Sequence, residues 1–278
     1  MRYIIDHDLH SHSFISPCSR DDRQTKQALF AYAVTSGYKL MALTDHCWDT
    51  QVPCATHSWA DDGASLNDLK TNLPLPQGAG CHFLFGCEAD MNRDCVLGLS
   101  RGEIEKLDFI ILSTAHLNLR GFTTYPEQLG DSPEKYKAFY QLRLHTLLDM
   151  DLPFHKCGLS HFTVANACPP APIRCMELFT DSELTDIFAK VRKRGLGVEL
   201  NFDPARYTPS ELEVILRPYR IAKALGCKFY IGGDCHHPEK FPLVRPITER
   251  IIDLLQLEES DKFPFVAETV ARLNKEAR

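Results

Sequence analysis

Short apolar runs alternate with amphipathic stretches along the whole chain. This alternation predicts repeated strand–helix units around a mainly parallel sheet. The apolar runs place candidate strands near residues 3–6, 39–43, 82–86, 109–113, 157–160, 197–201 and 228–232. The pattern therefore predicts an α/β fold with seven strands.

Three of the amphipathic stretches are clear enough to predict helices. Apolar residues recur at helical spacing over residues 22–36, and again from 184 to 191 before Gly195. Residues 208–211 read Thr-Pro-Ser-Glu, a capping box with proline at the first helical position, which begins a third helix. We expect Pro218 to end that helix.

Residues 47–80 form the least regular part of the sequence. A loop of this length in a compact domain is usually functional or disordered, so one interpretation is a lid or rim over a site. The other is an ordinary surface excursion with one short helix near Leu66 to Leu73.

Composition favours one globular domain covering residues 1–278. The chain is 44% hydrophobic and 24% charged, and no Pro/Gly/Ser-rich or charged stretch divides it into two parts that could each bury a core. No apolar run is long enough to span a bilayer, and residues 1–7 lack the apolar run of a secretion signal. We therefore expect a soluble, cytoplasmic protein.

Net charge and cysteine content limit the binding partners and the cellular compartment that we expect. A formal net charge of −6 argues against non-specific binding to nucleic acid or to an anionic membrane. The eleven cysteines are odd in number and form no Cys-x-x-Cys pair, which is more consistent with a reducing compartment than with a disulfide framework. Nothing in the sequence indicates the oligomeric state.

Histidines and carboxylates follow the predicted strands at the points where the strands end. They are His10, His12, His46, Glu88, His116, His161, Glu199, Asp234 and His236, with Asn201 beside them. In a barrel of parallel strands these ends meet at one face, where the active site lies. So many ionisable groups would be badly destabilised by crowding unless cations held them together, which predicts a metal cluster.

The spacing of the first pair supports this prediction. His10 and His12 lie on the same side of an extended segment, because side chains along a strand alternate with period 2. A single His-x-His is weak evidence, whereas recurrence at six strand ends is much stronger. The other histidines are interpreted as structural or surface residues, although His57 and His237 could touch a substrate.

These motifs together resemble the PHP (polymerase and histidinol phosphatase) family of metal-dependent phosphoesterases. The resemblance runs from residues 8–12 (Asp-Leu-His-Ser-His) through 44–46 (Thr-Asp-His), 86–88 (Gly-Cys-Glu), His116 and His161 to 233–236 (Gly-Asp-Cys-His). The strand end at 199–201, followed by Arg206, and the segment 236–239 are similar to the histidinol phosphatase branch.

The resemblance implies a distorted (β/α)7 barrel with two or three divalent metal ions, such as zinc, manganese or iron, at the C-terminal ends of its strands. It implies one metal on His10, His12, Glu88 and Asp234, and a second on Glu88, His116 and His161. A third would use His46, His236 and the residue six after His12.

That last position departs from the family pattern, because it is commonly histidine or aspartate and here is Cys18. A thiolate is a good zinc ligand but a poor ligand for magnesium or manganese. Either Cys18 completes a zinc-selective third site, or that site is weak or empty, with Asp21 or Asp22 as substitutes.

The implied activity is hydrolysis of a small-molecule phosphate monoester, with histidinol phosphate as the specific candidate. A hydroxide on the Glu88-bridged pair would attack phosphorus while His46 and His236 neutralise the remaining oxygens. Arginine suits a phosphate dianion, and Arg206 is the first candidate, ahead of Arg20 and Arg120.

Two further carboxylates have alternative roles. Asp8 and Asp45 each lie near a ligand histidine in the sequence, so they either orient imidazoles or cap the following turns.

Other functions remain open at this point. A phosphodiesterase, a cyclic-phosphate hydrolase or a nuclease of the same family is the main alternative. An amidohydrolase barrel also begins with His-x-His, but typically bridges its metals with a lysine on the fourth strand, where this chain has His116. A metal-binding protein without turnover is the alternative outside enzymology.

Overall fold

The computed structural model describes residues 1–276, apart from the side chain of Pro126. Its strands are β1 His7–Asp8, β2 Leu40–Leu43, β3 His46–Cys47, β4 His82–Asp90, β5 Phe109–Ser113, β6 Cys157–Leu159, β7 Gly197–Leu200 and β8 Lys228–Ile231. Its α-helices are α1 Lys26–Thr35, α2 Leu66–Leu69, α3 Arg101–Ile104, α4 Pro126–Leu129, α5 Pro133–Asp149, α6 Pro172–Leu178, α7 Asp181–Arg194, α8 Pro209–Ala224, α9 Phe241–Leu255 and α10 Pro264–Glu276.

The strands form a parallel, nearly closed barrel. Seven strands pair in the order β1-β2-β4-β5-β6-β7-β8, and β3 continues the path of β2 to pair with β4. Between the first and last strands, the Leu9 amide donates to Ile231 O at 2.9 Å and the Asp234 amide donates to His10 O at 2.8 Å. The predicted distorted (β/α)7 barrel is confirmed.

Alternation along the strands sorts the side chains into two layers. Leu40 and Ala42 of β2 face the barrel interior, whereas Met41 and Leu43 pack under the outer helices. Phe263 and Phe265 join this inner cluster at the start of α10. The lower interior is therefore filled with apolar side chains, and polar residues remain for the upper end.

Two strand boundaries differ from the sequence prediction. The first strand is His7–Asp8 rather than residues 3–6, because the Tyr3 amide donates to Leu257 O and bonds the N-terminal segment to the end of the chain. β4 does not end near residue 86 but continues to Asp90, as β5 pairs with it along its second half.

Two helix boundaries also differ from the sequence prediction. The first helix begins at Lys26, with Thr25 as its N-cap, rather than near residue 22. The prediction that Pro218 ends the third helix is wrong, because α8 continues to Ala224. Buried side chains on both sides of the proline, among them Leu216 and Tyr219, hold this helix against the core, which outweighs the lost hydrogen bond.

No helix in the described residues is both long enough and apolar enough to cross a bilayer.

Candidate metal centre

Glu88 lies at the centre of the polar upper end of the barrel. It is buried on β4, and five histidines turn their Nε2 atoms toward its carboxylate. Oε2 lies 3.2 Å from His10, 3.5 Å from His12 and 3.3 Å from His46, and Oε1 lies 3.3 Å from His161 and 3.9 Å from His116. Five histidines from four separate strand ends thus converge on one carboxylate.

Asp234 completes the side of the cluster nearest β8. Its Oδ1 lies 3.0 Å from His12 Nε2, and His10 Nε2 is also 3.0 Å from His12 Nε2. Asp234 has a φ of +48°, a strained left-handed conformation that aspartate tolerates better than most residues and that is frequent at functional sites.

The donor set fits divalent metal ions. Ligand atoms about 2.0–2.1 Å from a tetrahedral zinc ion lie about 3.3 Å apart, close to the separations around Glu88. Glu88 Oε1, His12 Nδ1 and His161 Nδ1 are buried without hydrogen-bond partners in the described structure. Buried polar atoms of this kind need a partner, and a bound cation would supply one for the Glu88 oxygen.

The charge balance supports the same conclusion. Burial alone would raise the pKa of Glu88, but the neighbouring imidazoles of His46 and His10 lower it well below its usual range. The carboxylate is therefore ionised in the barrel interior, and its charge is compensated by cationic partners, which either protonated imidazoles or bound metal ions provide.

Glu199 on β7 positions His10. Its side chain accepts from His10 Nδ1 at 2.5 Å and from the His161 amide at 2.5 Å. Gly232 permits this approach, because a Cβ there would lie 1.8 Å from Glu199 Oε1. With its Nδ1 hydrogen held by Glu199, His10 directs Nε2 into the cluster.

Asp90 performs the same task for His116, faces His46 as well, and was not anticipated from the sequence. Its carboxylate lies 2.9 Å from His46 Nδ1 and 2.8 Å from His116 Nδ1. Trp59 Nε1 donates to it at 2.5 Å. Residues 84, 86, 88 and 90 share the inner face of β4, so period-2 alternation continued past Glu88 could have identified Asp90.

Asp8 and Asp45 cap turns instead of orienting imidazoles. Asp8 accepts from the amides of His10 at 3.2 Å and Gly233 at 2.8 Å. Asp45 accepts from Ser13, at 2.5 Å from its amide and 2.6 Å from its hydroxyl. Of the two predicted alternatives, the structure matches the second.

Cys18 lies beside the cluster, in one group with His12 and His236 whose ligand atoms are within 4.8 Å of one another. Desolvation opposes its ionisation, but the imidazoles of His12, His46 and His236 lower the pKa of the thiol to about 4. Cys18 is therefore available as a thiolate at neutral pH. Asp21, by contrast, is bound to Arg23 and His237, and Asp22 is exposed.

The three candidate arginines lie in different places. Arg206 lines a cleft of about 380 Å³ together with Asn201, Asp234 and His236, which we call the Arg206 cleft. The Arg206 side chain is 70% exposed, and its Nε lies 3.7 Å from Asp203 Oδ2. Arg20 is exposed and donates to Pro17 O, and Arg120 lines a different cleft, with Trp59 and His57.

The long segment after β3 contributes to the rim of the centre. Trp59 stacks on His46 with ring centroids 4.7 Å apart, and α2 is the short helix expected near Leu66. His57 is exposed and pairs with Asp62 at 3.0 Å, and the half-exposed His237 lies 3.4 Å from Asp21.

Arg143 supports the centre from below, and nothing in the sequence indicated this. It extends inward from α5, is completely buried, and donates to the carbonyl oxygens of Met91, Asn92, Thr114 and Thr123. These carbonyls belong to the segments that follow Asp90 and surround His116. Burial lowers the pKa of Arg143 to about 10, so the side chain is still charged at neutral pH.

We expect Arg143→Met to lower the free energy of unfolding by about 3 kcal/mol or more, because it leaves several buried carbonyl oxygens without donors. Urea denaturation measures this loss. Arg174→Met is the matched control, since Arg174 is exposed on α6 and pairs with Glu177 at 3.2 Å, and we expect a change below about 1 kcal/mol. Equal losses in the two variants would contradict the role given to Arg143.

Comparison with known proteins agrees with the architecture. No protein-family profile and no curated protein sequence matches the chain. Among solved structures, it is similar to histidinol phosphate phosphatase from Lactococcus lactis subsp. lactis, solved in complex with zinc, L-histidinol and phosphate. The match has a TM-score of 0.54 at 15% identity and covers 91% of this chain and 94% of that one. The resemblance drawn from the sequence is thus confirmed at the level of the fold.

Proposed function

We propose that this chain is a metal-dependent phosphatase that hydrolyses a small-molecule phosphate monoester, in the manner of a histidinol phosphatase. The observation that carries the proposal is the convergence of five imidazole Nε2 atoms on the Glu88 carboxylate, next to the Arg206 cleft. The fold shared with a zinc-containing histidinol phosphate phosphatase supports it.

The proposed ligands form three groups, the first two of which share Glu88. The first is His10, His12, Glu88 and Asp234, the second is Glu88, His116 and His161, and the third is His46, His236 and Cys18. Zinc, manganese or iron bound there would supply Lewis acidity toward phosphoryl oxygens and a water activated at neutral pH. The imidazole and carboxylate donors suit all three metals, whereas the Cys18 thiolate favours zinc.

The residues around the cluster hold and orient the reacting groups. Glu199 accepts the Nδ1 hydrogen of His10 and Asp90 accepts that of His116, so that Nε2 of each ring faces inward, and the Asp90 carboxylate lies 2.9 Å from His46 Nδ1. Arg206 can donate two parallel hydrogen bonds to a phosphoryl group in its cleft, a geometry that suits a phosphate dianion. In this arrangement the protein positions the ester and compensates its charge.

A phosphate-release panel tests the proposal. Protein loaded with zinc, manganese or iron should release phosphate from histidinol phosphate or other monoesters, and chelation should abolish release until metal is restored. Phosphodiesters and amides belong in the panel as the competing substrate classes. A fully metallated protein that cleaves only amides, or nothing, would overturn the proposal.

The third metal gives a separate prediction. Cys18→Ser is expected to lower the zinc content of reconstituted protein by one ion per chain, because serine replaces a thiolate that binds zinc well. Elemental analysis measures this, and Cys54→Ser, at a partly exposed thiol in the loop after β3, is the matched control. Unchanged zinc content in Cys18→Ser would remove Cys18 from the ligand set.

The proposed setting is a reducing compartment such as the cytoplasm, which the eleven free cysteines support. Activity toward histidinol phosphate would place the enzyme in histidine biosynthesis.

A further inference from the structure

A second cleft of about 610 Å³ opens on the same face of the barrel as the metal centre. Its walls come from residues 56–62 after β3, Arg93 after β4 and residues 118–122 after β5. The Arg206 cleft is instead built from segments after β6, β7 and β8. The two clefts therefore occupy opposite sectors of one face, and we call the second the arginine cleft.

The arginine cleft contains two arginines that have no ion-pair partner in the described residues. Arg93 stacks on the ring of Tyr125 at 4.4 Å, and its Nε is buried without a hydrogen-bond partner. Arg120 is exposed. Within residues 1–276, neither guanidinium has a carboxylate at ion-pair distance.

Asp62 in the wall of this cleft and Asp94, next to Arg93 in the chain, each have a partner other than the two arginines. Asp62 pairs with His57 at 3.0 Å, and Asp94 accepts the hydroxyl of Tyr125. Two arginines thus face one cavity with no carboxylate at ion-pair distance in the described residues, and an anionic ligand would satisfy both.

The indole of Trp59 separates the arginine cleft from the metal centre. On the side of the metal centre, the indole stacks on the imidazole of His46, with ring centroids 4.7 Å apart, and its Nε1 donates to Asp90. Phe122 packs against it edge-on from the cleft, with centroids 5.8 Å apart. A substrate whose phosphoryl group lies at the centre therefore needs to extend past one aromatic side chain to reach the arginines.

We propose that the arginine cleft binds an anionic group, a carboxylate or a second phosphate, on the organic portion of the phosphate monoester. This inference rests on the proposed function and narrows its substrate class. Histidinol phosphate carries an amine at that end of the molecule, so on this chain an acidic phosphate ester is the better substrate.

Calorimetric titration of the zinc-loaded chain with non-hydrolysable phosphonates tests the inference. Alkylphosphonates of increasing length are compared with the ω-phosphonocarboxylates and the bisphosphonates of the same length. Once the ligand is long enough to reach past Trp59, the added anionic group should lower Kd about ten- to a hundredfold. Comparing the phosphonocarboxylates with the bisphosphonates shows whether the cleft prefers a carboxylate or a second phosphate.

Substitutions of Arg93 and Arg120 test whether these two residues cause the difference in Kd. The double substitution Arg93→Gln and Arg120→Gln should abolish the tighter binding of phosphonates that carry the added anionic group. Arg120→Gln alone, which changes only an exposed side chain, should reduce it. Arg101→Gln, whose exposed guanidinium pairs with Asp151 at 3.2 Å, should keep it. Equal Kd values within every pair, or a preference that survives the double substitution, would overturn the inference.

The same measurements distinguish failure of the proposed phosphatase function from failure of the anion-binding role of the arginine cleft. Phosphonates report binding without turnover, so a protein that shows the Arg93- and Arg120-dependent preference but releases no phosphate from any ester retains the cleft assignment and loses the phosphatase assignment.

Discussion

Replacing Glu88 with Gln is expected to lower kcat for phosphate release about 10³-fold. Both carboxylate oxygens of Glu88 face imidazole Nε2 atoms, so in the proposed function this residue would bridge two metal ions. An amide keeps the shape but loses the charge and one anionic ligand oxygen. The metal contribution to transition-state stabilisation is worth several kcal/mol, and each 1.36 kcal/mol is tenfold in rate.

The Glu88→Gln experiment needs metal content measured beside the rate. Glu127→Gln, on the short helix α4, controls for the substitution itself and should retain activity. Wild-type turnover by fully metallated Glu88→Gln protein would exclude the bridging role.

Asp90→Asn is expected to weaken metal binding or activity about 10- to 100-fold, the range for residues that orient metal-bound histidines. The Asp90 carboxylate accepts from His116 Nδ1 and lies 2.9 Å from His46 Nδ1, so an amide at this position removes the negative charge that faces both rings. Competition with a chromophoric chelator measures the affinity for each ion, and the loss should fall on the ions bound by these two histidines.

Asp108→Asn is the matched control for Asp90→Asn. Asp108 accepts from the Phe85 amide at 2.9 Å, near the opposite end of β5 from the centre. Equal metal affinity in wild-type and Asp90→Asn protein would show that the imidazoles are oriented without Asp90.

The barrel and its polar end could be predicted because both depend on simple periodicity. Apolar runs mark strands, and polar residues at their C-terminal ends must meet on one face. His10, His12, His46 and His116 could be grouped for that reason. Glu199 was recognised at its strand end, but its contact with His10 depends on the close approach of β7 to Gly232, which composition does not reveal.

Other features depend on long-range packing. Arg143 lies on an amphipathic helix where an arginine is ordinarily solvent-exposed, and only the folded chain brings four carbonyl oxygens to it. Local propensity predicts that Pro218 ends α8. In the folded chain, burial of the side chains around Pro218 outweighs that propensity and the helix continues. The separation of Arg120 from Arg206 depends on the course of the loops, which have no periodic pattern.

Anomalous X-ray diffraction at the zinc edge, from crystals grown with zinc and a phosphate-like anion such as tungstate, tests the central claim most directly. The account predicts zinc peaks on both sides of Glu88, one among His10, His12 and Asp234 and one beside His116 and His161, with the anion between them and Arg206. Crystals with no zinc at Glu88, or with the anion bound only away from the strand ends, would contradict it.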